Sequence, residues 1–122
     1  MAPPASASTD ELGQVFAVVA RYFGILSEPT RLKILHTICQ DERSVSAVVA
    51  ATGATQSNVS RHLALMLQAG VVRRRRDGNM VFYRVCDAEF VEICRSVCLQ
   101  IASRLDEQKP LKKNLLHFAA QH

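Results

Sequence analysis

The chain lacks the features of a secreted or membrane-bound protein. No stretch approaches the ~20 consecutive apolar residues that cross a bilayer, and no apolar segment follows basic residues at the N-terminus, as a secretory signal requires. The four cysteines include no CxxC pair. We therefore expect a cytoplasmic protein without a membrane partner, whose thiols are free, metal-binding or redox-sensing rather than held in structural disulfides.

Catalytic groupings are also missing. The sequence offers no nucleophile next to a base and no paired carboxylates, since its acidic residues are scattered at the ends of the expected helices. A chain of 122 residues with 48% hydrophobic residues can bury one core, which predicts a single domain. We expect a binding protein and not an enzyme.

Positive charge is concentrated in one part of the chain. Residues 61–85 hold six arginines and one acidic residue, so this segment is +5, and the total of +4 leaves −1 for the remainder. A local basic patch is typical of a protein that binds a polyanion. An arginine run by itself also fits an ordinary solvated face, so the neighbouring elements are needed to distinguish the two.

The N-terminal part divides into a tail and a helix. Residues 1–9 (MAPPASAST) are small, proline-rich and uncharged; they cannot bury enough surface to offset their ordering entropy, which predicts a disordered tail. From Asp10 the apolar spacing predicts a helix that is apolar on more than one side and so needs a second burial partner, such as another subunit. Ser27 is expected to cap the following helix, with Pro29 in its first turn.

Two helices joined by a short glycine-containing turn come next. Ser44 is expected to cap a helix over residues 45–52 that ends at Gly53, and another helix is expected from Gln56 to Gly70. This is the helix-turn-helix pattern, whose second helix presents its leading residues to bases in the major groove. Those residues carry amides, hydroxyls and a guanidinium, which read bases and hold phosphates. They are Gln56, Ser57, Asn58, Ser60, Arg61 and His62.

A β-hairpin is predicted directly after this helix. Residues 71–76 and 80–85 are strand-like runs about an Asp77-Gly78-Asn79 turn. One face of the hairpin can pack on the helices while arginines reach DNA phosphates or a minor groove. The arginines are Arg73, Arg74, Arg75 and Arg76, with Arg84 in support.

The C-terminal part is expected to complete a dimer. Asp87 can cap a long helix that runs to about Leu105, and its apolar stripe is best explained as half of a dimer interface shared with the first helix. Residues 107–122 form a C-terminal extension, either a short added helix or a loose tail. The predicted fold class is mainly α with a small β-hairpin: a winged helix-turn-helix with a helical dimer interface, over residues 10–106.

Four segments, taken in order, resemble the ArsR/SmtB family of winged helix-turn-helix transcriptional repressors, dimeric regulators that leave DNA on binding a metal, a metalloid or a reactive sulfur species. They are residues 26–32 (LSEPTRL), 56–63 (QSNVSRHL), 69–72 (AGVV) and 82–85 (FYRV). Each segment is weakly diagnostic, but their order and spacing are specific. The resemblance implies a homodimer on a near-palindromic double-stranded operator, with one recognition helix in each half-site. The DNA-contacting positions would then be the six leading residues and the four wing arginines named above.

Metal sites known in the family match this chain poorly. A zinc-type site would fall on Asp87, Glu89, Gln100 and Ser103, and the last two are poor Zn²⁺ ligands, so we reject it. The arsenic-type site needs a tight cysteine cluster on the second helix, where only Cys39 is present.

Cysteines in the last long helix leave two sensor hypotheses open. Cys94 and Cys98 are four residues apart and share a helix face; with a third thiolate from Cys39 or from the partner subunit they could bind arsenite or another soft metal. Alternatively, a thiol switch could join Cys39 and Cys98 through a disulfide or polysulfide. Family members with such a switch have cysteines at the positions of His36 and Ala102, so this match fails residue by residue. Cys39 lies three residues after His36, and Cys98 lies four residues before Ala102. If the two helices run antiparallel, both shifts point the same way, so the two cysteines could still face each other one helical turn along.

The sequence therefore predicts a dimeric DNA-binding repressor whose inducer, a reactive sulfur or redox signal, is sensed through Cys39, Cys94 and Cys98. The alternatives are a repressor that responds to arsenite or a soft metal, and a winged-helix adaptor for protein contacts without an inducer. The cysteines also fit the role of small buried hydrophobic residues. No cofactor is expected beyond arsenite or a soft metal at the thiols.

Overall fold

The computed structural model describes residues 9–121. The elements in chain order are α1 (Thr9–Ile25), α2 (Pro29–Ile38), β1 (Arg43–Ser44), α3 (Val45–Thr52), α4 (Gln56–Gln68), β2 (Val72–Asp77), β3 (Met80–Val85), α5 (Ala88–Ala102) and α6 (Pro110–Ala120). The expected tail lies outside the described residues except for Thr9, which belongs to α1.

Side chains at helix starts explain most of the boundaries. Ser44 accepts a hydrogen bond from the backbone N–H of Ala47, and Asp87 accepts from those of Glu89 and Phe90, as N-caps do. Both caps were predicted.

The cap of α2 corrects the prediction at Ser27. The Glu28 side chain caps this helix by accepting from the Arg31 N–H at 2.9 Å. Ser27 instead donates its hydroxyl to the Gly24 carbonyl at 2.7 Å and so closes the end of α1. Serine is a preferred N-cap residue type and glutamate is not, so residue preference pointed to Ser27 instead of its neighbour.

The helix-turn-helix turn depends on a glycine in the left-handed region. Gly53 ends α3 with φ 73°, a conformation that a side chain disfavours. Thr55 then caps α4 by accepting from the Asn58 N–H. The two helices are thus held at the short separation that the pattern requires.

The sheet has three strands, one more than predicted. The antiparallel order is β1-β3-β2, with Arg43 opposite Tyr83 and Ser44 opposite Phe82. β2 and β3 pair from Val72–Val85 to Asp77–Met80, and Gly78 (φ 61°) is the first residue of the two-residue loop, where a II′ hairpin turn takes glycine. The added strand connects the predicted wing to the segment before α3.

The core lies where α2, α3 and α4 meet the sheet and the start of α5. Its fully buried side chains are Ile34, Ile38, Val48, Val59, Leu63, Met66, Val71 and Phe90. α1 contributes only Ile25 to the buried set, while Phe16 and Val18 are more than 60% exposed. α1 therefore has a large apolar face in contact with solvent. This exposure is unfavourable, because burial of apolar area is the main favourable term in folding.

Within the described residues, the C-terminal extension contains the helix α6. Pro110 lies at the start of this helix, where its missing N–H costs nothing. α6 packs against α5 and also reaches α2, where the rings of Phe118 and His36 have centroids 4.7 Å apart. The extension is therefore a packed helix through Ala120 rather than a loose tail.

Candidate nucleic-acid interface and thiol-lined cavity

The first turns of α4 carry an exposed polar face. Gln56, Ser57, Ser60 and Arg61 are exposed and Asn58 is half-buried. An Arg61 guanidinium N–H donates to the Asn58 side-chain oxygen at 2.6 Å, which orients both side chains on the same face one turn apart. Amides, hydroxyls and a guanidinium on a protruding helix are suited to base edges and phosphates.

His62 does not belong to this exposed face, which corrects its assignment as a DNA contact. Only 7% of its surface is exposed. It lies three residues after Val59 and next to Leu63, both fully buried, so the helical period turns it toward the core. The same spacing is visible in the sequence and could have identified His62 as an internal residue.

The His62 ring joins a polar network between three helices. Arg31 donates its Nε–H to the Ile25 carbonyl at 3.0 Å and an Nη2–H to the Gly24 carbonyl at 2.8 Å, which satisfies the C-terminal end of α1. Its Nη1 atom lies 3.4 Å from His62 Nδ1. Because a guanidinium can only donate, Nδ1 accepts, so the ring proton is on Nε2, 3.5 Å from a Glu28 carboxylate oxygen.

The charge state of His62 follows from its surroundings. Burial lowers the pKa of the ring, the Glu28 carboxylate raises it, and the positive charges of Arg31 and Arg61 lower it, with a net shift below the ordinary value. The neutral ring is therefore the form that the network stabilises.

One wing arginine is committed to a structural contact. Arg75 donates to both Glu42 oxygens, with an Nη2···Oε1 distance of 2.6 Å, and its guanidinium carbon lies 4.8 Å from the centroid of Phe82. The hydrogen bonds from Arg75 hold the pKa of the Glu42 carboxyl below its usual value, although desolvation acts in the opposite direction. Arg75 therefore connects the wing to the segment before β1, a pairing that the sequence did not suggest.

The other wing arginines project from both faces of the hairpin. Arg73, Arg74 and Arg76 are all exposed. Side chains alternate along a strand, and the register sets Arg74 opposite Tyr83 and Arg75 opposite Phe82. Arg74 and Arg76 thus share one face of β2, and Arg73 shares the other with Arg75.

The three candidate sensor thiols line one cavity. It has a volume of about 330 Å³ and lies between α2, α5 and α6, with Cys39, Cys94 and Cys98 in its wall. The sequence predicted that α2 and α5 carry the thiols, and the fold brings them to one place. Cys86 lies elsewhere: it is exposed, and its thiol donates to the Gly70 carbonyl at 3.4 Å.

All three cavity thiols are protonated at neutral pH. Burial, and the repulsion that a Cys94 thiolate would meet from thiolates at Cys98 and Cys39, raise the pKa of Cys94 to about 11. Burial also raises the pKa of Cys39 and of Cys98. The thiolate is the nucleophile and the metal ligand, so the raised pKa lowers the fraction of each thiol that is in its reactive form at neutral pH.

Metal-ligand groups are sparse in the part of the chain that the structure describes. Among residues 9–121, no group of three or more His, Cys, Asp or Glu side chains is arranged to hold a metal ion. Asp87, the first residue of the rejected zinc-type set, is occupied otherwise: it caps α5 and accepts from the Tyr22 hydroxyl at 3.3 Å. Over the same residues, no helix has the length and apolar character to span a bilayer.

Comparison with known families points to transcriptional regulation. A family model described as bacterial regulatory protein, arsR family, matches residues 28–74, which run from the N-cap of α2 into the wing. The chain is 39% identical over 90 residues to a probable mercury resistance operon repressor of Streptomyces lividans, covering 71% of this chain and 72% of that protein. It is 32% identical over 93 residues to an uncharacterised HTH-type transcriptional regulator of Mycobacterium tuberculosis, covering 73% of this chain and 82% of that one.

Solved structures agree with the fold. A homodimeric winged helix-turn-helix DNA-binding domain from Mycobacterium bovis, described as a possible ArsR-family transcriptional regulator, superposes with a TM-score of 0.68 at 27% identity, covering 86% of this chain and all of that one. The predicted winged helix-turn-helix fold and family resemblance are therefore confirmed. These relatives are regulators of transcription, in agreement with the expectation that the chain is not an enzyme.

Proposed function

The chain belongs to the ArsR family of bacterial regulatory proteins, and we propose that it is a cytoplasmic homodimeric repressor released from a near-palindromic DNA operator by an inducer that acts on its cavity thiols. Residues 10–106 form the DNA-binding and dimerisation unit, and residues 107–122 form an extension, whose helix α6 contributes to the wall of the cavity. The observation that carries the release step is that Cys39, Cys94 and Cys98 line one cavity between α2 and α5.

DNA binding rests on α4 and the wing. Gln56, Ser57, Asn58, Ser60 and Arg61 read the major groove, and the wing arginines hold the phosphate backbone. His62 lies on the buried side of α4, where its ring contacts Arg31. Support for this division comes from the exposed polar face of α4 and the exposed arginines of β2.

Homodimerisation rests on the apolar surface that one chain leaves uncovered. Val15, Phe16, Val18, Val19 and Phe23 of α1 are exposed, as are Val97, Leu99 and Ile101 of α5. Exposed apolar side chains in such number indicate an interaction site, and the related Mycobacterium bovis domain is homodimeric. A two-fold pairing through α1 and α5 would set the two α4 helices about one DNA turn apart.

Release requires chemistry at the thiols. Joining two cysteines in a disulfide forms one S–S bond and gives up two protons and two electrons, which a polysulfide accepts as one of its S–S bonds is reduced. A bond between Cys39, at the end of α2, and Cys98 of α5 would fix the distance between these two helices. Reactive sulfur is the favoured inducer because it offers an electrophilic sulfur directly.

A soft metal ion is the second candidate. It is favoured by the Streptomyces lividans relative, which is named as a mercury resistance operon repressor, and by the preference of soft metals for thiolates. Since the described residues hold no group of three or more metal-binding side chains, a two-thiolate ion such as Hg²⁺ fits this chain better than arsenite. Metal binding would displace the thiol protons.

A release assay separates these possibilities. A fluorescent duplex bound by the purified dimer is treated in turn with polysulfide, Hg²⁺, arsenite, Zn²⁺ and peroxide, and anisotropy reports the bound fraction. We expect polysulfide to release the duplex, and Cys39→Ala or Cys98→Ala to prevent release. Cys86→Ala is the matched control because this thiol lies outside the cavity. Release that persists when all three cavity cysteines are replaced would overturn the proposed trigger.

A further inference from the structure

The cavity between α2, α5 and α6 is large enough for a small organic molecule. Its volume of about 330 Å³ is roughly twice that of an engineered 150 Å³ cavity that binds benzene, and it falls at the small end of natural ligand pockets. Helix α6 contributes Leu115, Phe118 and Ala119 to its wall. A peptide helix about 10 Å across is too wide for this space.

The wall of the cavity is almost entirely apolar. Of its 16 residues only His36 and Arg95 carry an ionisable nitrogen; the His36 ring packs on Phe118, and Arg95 is exposed, so its aliphatic stem meets the cavity while its charge stays in water. The three thiols are uncharged at neutral pH. A charged ligand would lose its hydration here without gaining an oppositely charged partner in the apolar wall, which disfavours its binding.

We propose that this cavity binds an uncharged, apolar organic molecule about the size of two fused six-membered rings. The molecule is held without a covalent bond, between the aromatic side chains of Phe90 and Phe118 and the polarisable sulfur atoms of the three cysteines. The inference rests on the proposed function only in treating the cavity as the effector site. Binding itself needs neither DNA nor thiol chemistry.

A bound ligand would contact both the main core of the protein and helix α6. Leu35 of α2 and Phe90 of α5 belong to the main core and also line the cavity, and Leu115 and Phe118 of α6 line it as well. A bound molecule would therefore stabilise α2, α5 and α6 in one arrangement, which is the kind of differential contact that a ligand needs to shift a conformational equilibrium.

The test measures binding to the full-length dimer in the absence of DNA. An uncharged naphthalene ketone dye, whose emission shifts to the blue in apolar surroundings, is titrated with protein. We expect saturable binding, displaced by naphthalene and not displaced by naphthalene-1-sulfonate at the same concentration. The triple variant Cys39→Ala, Cys94→Ala, Cys98→Ala should keep saturable dye binding, at an affinity lowered by the lost sulfur contacts, although it has lost every thiol that the proposed release step uses. Failure of thiol sensing and failure of this proposal thus give different results.

Cavity-filling variants locate the site. Cys98→Trp fills the space from α5, and we expect its dye affinity to fall by about tenfold or more, or about 1.4 kcal/mol. Ser96→Trp is the matched control, because Ser96 is an exposed residue of α5 outside the cavity, and its affinity should stay within about twofold of the parent. Ala119→Leu, from α6, is a second filling variant, and far-UV circular dichroism checks that each variant is folded.

Three results would overturn the proposal. They are no saturable dye binding by the parent dimer, unchanged affinity in the folded filling variants, and equal displacement by the sulfonate. The second result would mean that the dye binds outside the cavity, and the first would mean that the cavity takes no apolar ligand of this size.

Discussion

The Nδ1 atom of His62 lies 3.4 Å from a guanidinium nitrogen of Arg31, and this contact joins α4 to the end of α1. The same arginine donates to the Gly24 and Ile25 carbonyls, the last backbone acceptors of α1. One side chain therefore connects the helix that faces DNA in our proposal with the helix proposed to form the dimer.

Arg31→Ala should destabilise the fold. The substitution removes charge-assisted hydrogen bonds to two helix-end carbonyls, and we expect a loss of about 2 kcal/mol. Urea unfolding monitored by circular dichroism measures it. Arg31→Lys is the control: it keeps the charge, but an ammonium cannot reproduce the planar fork, so an intermediate loss is expected. Equal stability of the alanine variant and the parent would contradict the network.

Stability should fall in mildly acidic solution because of His62. Its pKa in the folded protein lies below the ordinary value, which is near 6.5 in an unfolded chain, so the unfolded state takes up a proton first as the pH falls. The free energy of unfolding should therefore decrease from a pH of about 6.5 down to the folded-state pKa. Protonation would also place an Nδ1–H opposite the Arg31 guanidinium, which carries a like charge and has no acceptor atom for that hydrogen.

His62→Gln supplies the comparison for this pH effect. Urea unfolding of parent and variant at pH values of about 7.5 and about 5.5 gives the change in stability for each. A glutamine does not titrate, so the variant should lose less stability than the parent on acidification. An identical loss in both proteins would assign the effect to other groups.

The wing arginines should contribute unequally to DNA affinity. Arg75 is neutralised in part by Glu42, whereas Arg74 and Arg76 face away from this pair. The double variant Arg74→Ala, Arg76→Ala should lower the slope of log affinity against log salt concentration by about 2, since each phosphate contact contributes about one unit. The single variant Arg75→Ala should change the slope less. Anisotropy titrations of one duplex at several salt concentrations measure both, and a larger effect from Arg75 would refute the assignment.

Alkylation should distinguish the exposed thiol from the buried ones. With a pKa of about 11 in place of the ordinary 9.0, Cys94 has about a hundredfold less thiolate than an unperturbed cysteine at neutral pH. Cys86 is exposed and should react first with iodoacetamide, as followed by peptide mass spectrometry. Unfolding in urea should abolish the difference. Modification of Cys94 at the rate of Cys86 in the folded protein would contradict the buried cavity.

The local features of the fold could be predicted from the sequence because they depend on neighbouring residues. Ser44 and Asp87 cap helices, Gly53 ends α3, and Gly78 forms the hairpin turn, each within a few residues of its partners. The family resemblance also rests on such short segments. These expectations agree with the structure to within a residue or two.

Features that depend on distant contacts could not be predicted. β1 is two residues long and exists through its pairing with β3, and α6 is packed through contacts such as that of Phe118 with His36. The gathering of Cys39 with Cys94 and Cys98 likewise requires α2 to lie beside α5. His62 is a different case: its spacing from Val59 and Leu63 predicts burial, but its chemistry suggested a DNA contact.

Selection of DNA ligands tests the central claim most directly. The purified full-length protein is used to enrich sequences from a library of duplexes with a random central region, in parallel with Arg61→Ala and with the double variant Arg74→Ala, Arg76→Ala. We predict enrichment of two inverted half-sites whose centres are about one helical turn apart. Arg61→Ala should relax the preference within each half-site, and the wing variant should bind the same sequence more weakly. A parent protein that enriches no sequence, or that enriches a single unpaired site, would contradict the account of a dimer that reads its operator with α4.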